Sequence, residues 1–387
     1  MQEVSVLEGK FNRDRLRKAL DIKCMTLSDL AKEVGVSRQT ISDYINNDNA
    51  SVDLVKIKRI SEILNFPFNF FYETDSDVKT NAAYFRSQLT TKKFYRSAQK
   101  CKLELIARIY NFIKEYVEFP VLNIPDCRGL SPEEAALKLR EEWNLGLNPI
   151  ENIIPIAEQN GLIVVCYDTE TDAIDAFSQR FILDNNAEVF IIGYSSNKKS
   201  AARIHFDIAH ELGHICLHDW YCTDELEKDE FKEKEDEANR FASALLLPEE
   251  PFLYDVCKAK IGVRDYSRLK RKWKTSIAAM LMRANRLGVI TNEDYKNMII
   301  KMQKLGIRKQ EPLDNDLITA EPSILKTSVS LLLSNDVFTK EEFMDSLTDE
   351  GNLTLYPQQV EQLLGLQRGT LQSTKRIEFP QLTLKNV

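Results

Sequence analysis

The stretch that decides the fold runs from His205 to Asp219, HFDIAHELGHICLHD. It holds all four histidines of the chain, His205, His210, His214 and His218. Its apolar residues recur at helical spacing, which predicts a long helix over Ser200 to Leu217. On that helix His210 and His214, four positions apart, project from one face and can chelate one ion. Glu211 sits beside them, where a carboxylate can act as base toward water at that ion. This is the H-E-x-x-H arrangement. It predicts zinc held by His210 and His214, with Glu211 as the catalytic base.

A catalytic zinc takes three protein ligands and keeps one position open, so another ligand must come from downstream. Candidates crowd EKEDEANRFASALLLP, a helical pattern over Glu233 to Leu247 with Ala238, Phe241, Ala242 and Leu245 on its apolar side. Glu233, Glu235, Asp236 and Glu237 open that helix, where acids also complement the helix dipole. Glu235 and Asn239 share a face, so Glu235 is the expected ligand and Asn239 the acceptor that orients a ligand histidine. Glu237 is the alternative ligand. His218, one turn past His214, is either a partner behind that histidine or a residue complementing the helix C-terminus. His205 is expected to be structural. Gly213, costing about 1 kcal/mol relative to Ala inside a helix, implies close approach of another backbone, with the site against a sheet.

Around this centre the chain reads as several units. Its 387 residues exceed one ordinary domain, and 43% hydrophobic with 29% charged residues is a globular composition. Seven scattered cysteines without a CxxC pair argue against a disulfide framework or a cysteine-ligated zinc knuckle. No apolar run approaches the roughly 18 residues of a membrane span, and MQEVSVLEGKFNRD lacks signal-peptide features, so a cytoplasmic protein is expected. The net charge of −7 conceals a basic stretch, in which nine cationic residues from Lys79 to Lys114 face a single acid, Glu104. Such a stretch favours an anionic partner, or is a solvated helix face in a linker.

Residues 1–73 are expected to form an all-α domain, 74–128 a basic helical linker, 129–306 an α+β unit and 307–387 a mainly helical region of unread role. The α+β unit opens with a capped helix, SPEEAALKLREEW, and continues through the strand-like runs GLIVVCY, IDAFSQRFIL and AEVFIIGY. Short helical patterns in SILKTSVSLLL, TKEEFMDSL and PQQVEQLLGL mark the last region.

The blocks HFDIAHELGHICLHD, EDEANRFASALLLP and SIAAMLMRANRLGVIT, with NIIPIAEQNGLIVVCY upstream, resemble in content and order the ImmA/IrrE family of zinc metallopeptidases. The resemblance covers about Ser131 to Gly306. It implies a gluzincin-type zincin fold, in which a glutamate from a following helix is the third ligand and a polar residue four positions later orients a histidine. Carried onto this chain, that gives His210, His214 and Glu235 as ligands, Glu211 as base and Asn239 behind them. It also implies a role in phage, stress or toxin–antitoxin regulation, by cleavage of a co-encoded regulator or by a metal domain that senses without cutting.

TLSDLAKEVGVSRQTISDYIN, Thr26 to Asn46, resembles the helix-turn-helix of Xre/Cro-type repressors. Ala31 allows close helix approach, Gly35 turns the chain, and Val36, Ile41 and Ile45 point inward. The second helix then offers Arg38, Gln39, Thr40, Ser42 and Asp43 to base edges and phosphates of a double-stranded operator. One such module per chain implies a homodimer on a pseudo-palindromic site.

Overall fold

The computed structural model describes residues 10–47, 52–74, 78–85, 93–171, 174–197, 200–219, 228–259 and 262–373. Four short helices come first: α1 (Arg13–Ile22), α2 (Leu27–Val34), α3 (Arg38–Asn46) and α4 (Leu54–Leu64). Each has a side-chain cap at its start: Asn12, Thr26, Ser37 and Asp53 accept hydrogen bonds from the first free backbone N–H groups. After a 3-10 turn at Phe68–Tyr72 come strand β1 (Val78–Phe85) and the long helix α5 (Lys93–Lys114).

The centre of the molecule is a four-stranded sheet in the order β1-β3-β4-β2. β2 (Ile163–Tyr167) runs parallel to β4 (Glu188–Ser195), while β3 (Ala176–Leu183) is antiparallel to both β4 and β1. Two helices, α6 (Pro132–Glu142) and α7 (Ile153–Gln159), precede β2. The three apolar runs expected as strands are β2, β3 and β4. β1 corrects the reading of 74–128 as helical linker alone, because part of that stretch joins the sheet as an edge beside β3.

Because side chains alternate across a strand, the sheet serves two cores. Ile163, Val165, Tyr167, Phe177, Phe181, Val189 and Ile191 face a core shared with α1 to α4, α5 and the C-terminal helices α14, α15 and α16. Val164, Ala176, Phe190, Ile192 and Tyr194 face a second core with α6 to α13. That second core includes α8 (Ala201–Leu217), α9 (Lys228–Leu246), α10 (Glu249–Cys257), α11 (Val263–Trp273), α12 (Ile277–Arg286) and α13 (Asn292–Lys304). The C-terminal three are α14 (Ile324–Ser334), α15 (Lys340–Asp349) and α16 (Pro357–Leu364).

α5 is thus an interior helix. Leu103, Ile106, Ala107, Ile109 and Ile113 are fully buried, and two of its cations, Lys102 and Arg108, are buried with them. Lys102 Nζ donates to the Asp168 carbonyl at 3.1 Å and to Glu170 Oε1 at 3.2 Å, while Arg108 and Lys18 both pair with Glu104. The C-terminal region is built in as well. Arg15, buried beneath α1, pairs with Glu73 at 3.3 Å and donates to the Asn352 carbonyl, and Gln359 donates to the Asn65 carbonyl at 2.9 Å.

Candidate metal centre

α8 is buried on all sides, against the sheet, α6, α7 and α9, so even its polar residues lie inside. Gly213 sets its distance from α9. A Cβ there would lie 3.0 Å from Ala238 Cα and 3.1 Å from the Phe241 ring, so only glycine lets the two helices touch. The approaching backbone is the helix α9, whereas the sheet meets α8 at Glu211.

Three donors converge between α8 and α9. His210 Nε2 and His214 Nε2 lie 3.0 Å apart, Glu235 Oε2 is 3.5 Å from His210 Nε2, and Glu235 Oε1 is 3.3 Å from His214 Nε2. Zinc bonded at about 2.0–2.1 Å in a tetrahedron separates its ligand atoms by about 3.3 Å, so these spacings fit one such ion. Among the described residues, His210, His214 and Glu235 are the group that could hold a metal. The donor set, two imidazoles and a carboxylate, is that of a catalytic zinc with one position left for water or substrate. Burial opposes the charge on Glu235, but the neighbouring imidazoles of His210 and His214 outweigh it and hold the carboxyl at about 2.

Behind His214 runs a chain that fixes its proton. His214 Nδ1 lies 2.9 Å from His218 Nδ1, and His218 Nε2 lies 3.0 Å from Glu237 Oε2. Burial, and after it the nearby His214, drives His218 down to about 2, so its ring is neutral. A neutral His218 that donates from Nε2 to Glu237 must accept at Nδ1. His214 then carries its proton on Nδ1 and turns a bare Nε2 toward the other donors. Glu237 therefore sits two links from the triad rather than in it, and His218 closes α8 as well as backing His214.

Asn239 does something else than expected. Its amide folds back one turn and donates to the Glu235 carbonyl at 2.7 Å, which makes it a local helix contact and not a histidine's partner. Glu211 is fully buried, and Ser178 Oγ on β3 donates to its Oε2 at 2.6 Å. Sequence reasoning missed Ser178. The one available signal was a hydroxyl in the midst of the apolar strand AFSQRFIL. His205 lies on α8 away from the triad, with Nε2 3.0 Å from Thr319 Oγ1. Burial, then the charge of Lys274, lowers its ring to about 4.

The N-terminal helices form a second candidate surface. Thr26 and Asp29 make a reciprocal capping box at the start of α2, and Gly35 ends it at φ +79°. Ser37 Oγ then accepts from the Thr40 N–H at 3.0 Å and opens α3. Ile41, Tyr44 and Ile45 are buried, whereas Arg38 and Gln39 stand in solvent. Gln39 donates to Asp43 Oδ1 at 2.8 Å, and Thr40, Ser42 and Asp43 are half-buried. The face offered at the N-terminal end of α3 is therefore led by Arg38 and Gln39.

Residues 168–285 match the IrrE N-terminal-like domain of peptidase family M78, and residues 16–71 match a helix-turn-helix domain. Comparison with curated proteins gives no match. The first match ends one residue before the end of α12 and encloses the whole triad together with Glu211 and Ser178. The second encloses α2 and α3. Among the described residues no helix is long and apolar enough to cross a membrane. The chain therefore carries an N-terminal Xre-type helix-turn-helix joined to an ImmA/IrrE-type domain, the latter matching the peptidase M78 model over residues 168–285.

Proposed function

We propose that the chain is a zinc-dependent endopeptidase that binds operator DNA and hydrolyses a peptide bond in a regulatory partner protein, one encoded with it. The reading rests on the convergence of His210, His214 and Glu235 beside a buried Glu211 braced from the sheet. Zinc in that triad would supply Lewis acidity, acidifying water and polarising the scissile carbonyl. Glu211 takes the proton of the attacking water and delivers it to the leaving amine. Ser178 holds one carboxylate oxygen of Glu211, so the proton is carried on the other. The relay from Glu237 through His218 keeps His214 in the tautomer that presents Nε2 to a metal.

Under this reading the division at residues 73, 128 and 306 is one of roles, and packing crosses each boundary. DNA is held by a homodimer whose α3 helices meet successive half-sites. A second reading, a repressor whose metal domain senses without cutting, draws on the shared core that locks the helix-turn-helix helices to the back of the sheet.

The deciding experiment is Glu211→Gln with the product of the neighbouring regulatory gene as substrate. Loss of cleavage with zinc content and DNA binding intact supports the peptidase. Wild type that leaves the partner whole, with regulation unchanged in Glu211→Gln, supports the sensor.

A further inference from the structure

A cleft of about 690 Å³ lies at the junction of α1, α4, α5, β2 and α16, lined among others by Lys23, Phe66, Lys102, Tyr167, Glu170 and Gln362. Its volume falls in the range of small-molecule sites. Tyr167 belongs to the core on the sheet face away from α8, so this cleft is separate from the metal centre.

Two of its polar groups have no hydrogen-bond partner among the described residues, one buried and one exposed beside Glu170. Tyr167 is 7% exposed, and its buried hydroxyl has no hydrogen-bond partner among the described residues. A buried hydroxyl left so carries the full cost of its desolvation. The Lys23 ammonium, 5.8 Å over the Phe66 ring, is hydrogen-bonded to no described residue. The other charged groups are engaged. Lys102 bridges Glu170 and the Asp168 carbonyl, and Asp168 Oδ1 accepts from the Glu170 N–H at 2.8 Å. The groups left to recognise a guest include the Lys23 cation, the buried Tyr167 hydroxyl, the hydroxyl of Tyr356 at the rim, aromatic faces and side-chain amides of α16.

We propose that this cleft binds a small organic anion built on a flat unsaturated ring, its charge at Lys23 and a polar ring substituent at the Tyr167 hydroxyl, and that occupancy regulates the protein. The C-terminal ends of α1 and α4, which belong to the N-terminal DNA-binding module, α5 and α16 each supply a wall, so a guest changes how firmly that module is seated on the sheet. Tyr167 also packs on Phe177, their ring centroids 6.4 Å apart, and the next residue, Ser178, braces Glu211 from the opposite face. The proposal does not depend on peptidase activity.

The anionic group can be phosphate or carboxylate, and two probes separate the sources: adenosine monophosphate and indole-3-acetate, each titrated into the full chain by calorimetry and thermal unfolding. At least one is expected to bind at millimolar concentration or below and to raise Tm with its concentration. Lys23→Ala is expected to weaken that binding about tenfold or more, as loss of a hydrogen bond to a charged group does. Tyr167→Phe is expected to weaken binding while leaving the unliganded Tm unchanged or higher, since the hydroxyl it removes has no partner. Failure of both probes to bind overturns the proposal. So does binding that neither substitution weakens, or inorganic phosphate alone reproducing the full effect.

Discussion

Two helix pairs carry the residues on which function turns, and they treat them in opposite ways. In α8 and α9 the side chains of His210, Glu211 and His214 are fully buried, held by Gly213, Ser178, His218 and Glu237. In α2 and α3 the packing stops at Ile41, Tyr44 and Ile45, and Arg38 and Gln39 stand outside it. Under the proposed function, chemistry on a peptide bond needs donors already in place and sheltered from water, which accounts for its residues being part of the core. Reading DNA needs groups that reach into a groove, so the core only aims them. Substitutions in the first pair should therefore disturb both stability and site, while those in the second should change binding alone.

The largest expected effect comes from the proton carrier. Glu211→Gln should lower the rate of partner cleavage by at least about 100-fold, read from gel time courses at matched zinc loading. Next come the metal contacts. Glu235→Ala should abolish stoichiometric zinc, whereas Glu237→Ala, two links away, should weaken zinc by only about 10–100-fold in competition with a chelator. A variant pair with the reverse ranking would exchange the roles of the two glutamates.

Gly213→Ala comes third. The added methyl must push Ala238 away, and it should destabilise the protein by about 1–3 kcal/mol in urea unfolding as well as loosen the metal. Arg38→Ala and Gln39→Ala mark the contrast, since each should cost about 1–3 kcal/mol of operator affinity with no change in Tm. A loss of stability there as large as that of Gly213→Ala would erase the distinction between the pairs.

The smallest effect is a pH slope from His205. Its folded value of about 4 lies below the ordinary 6.5 of imidazole, so the unfolded chain takes up the proton first. The stabilisation is complete above pH 6.5 and is lost as pH falls from there toward 4, amounting to about 1–2 kcal/mol by pH 5. Replacing His205 by Gln should flatten that slope in denaturant titrations at pH 7.5 and pH 5.

The same contrast explains what the sequence disclosed. HELGH could be read because both imidazoles come from one helix, where spacing alone sets direction. Glu235 was harder to single out, because four acids, Glu233, Glu235, Asp236 and Glu237, crowd the start of the following helix, and Glu237 stayed an alternative until the two helices were seen packed together. Ser178 was not, since it meets Glu211 across 33 residues, through a strand-to-helix contact that no local pattern encodes. Asn239 was misassigned because sharing a face with Glu235 also allows a fold-back to its own helix, and that closer contact won. Counting charges made residues 79–114 look like an open basic arm. The decisive feature was instead the apolar side of α5, which drew Lys102 and Arg108 inward to acids and carbonyls. β1 escaped notice because VKTNAAYF lacks a clean alternation of apolar and polar residues.

The central claim, that two histidines of α8 and one glutamate of α9 close on a single ion, is tested most directly by elemental analysis of the purified full chain and its Glu235→Ala variant. The account predicts one zinc per chain in the wild type and almost none in the variant. Wild-type protein without stoichiometric metal after growth in zinc, or a Glu235→Ala variant that keeps its full complement, would contradict it.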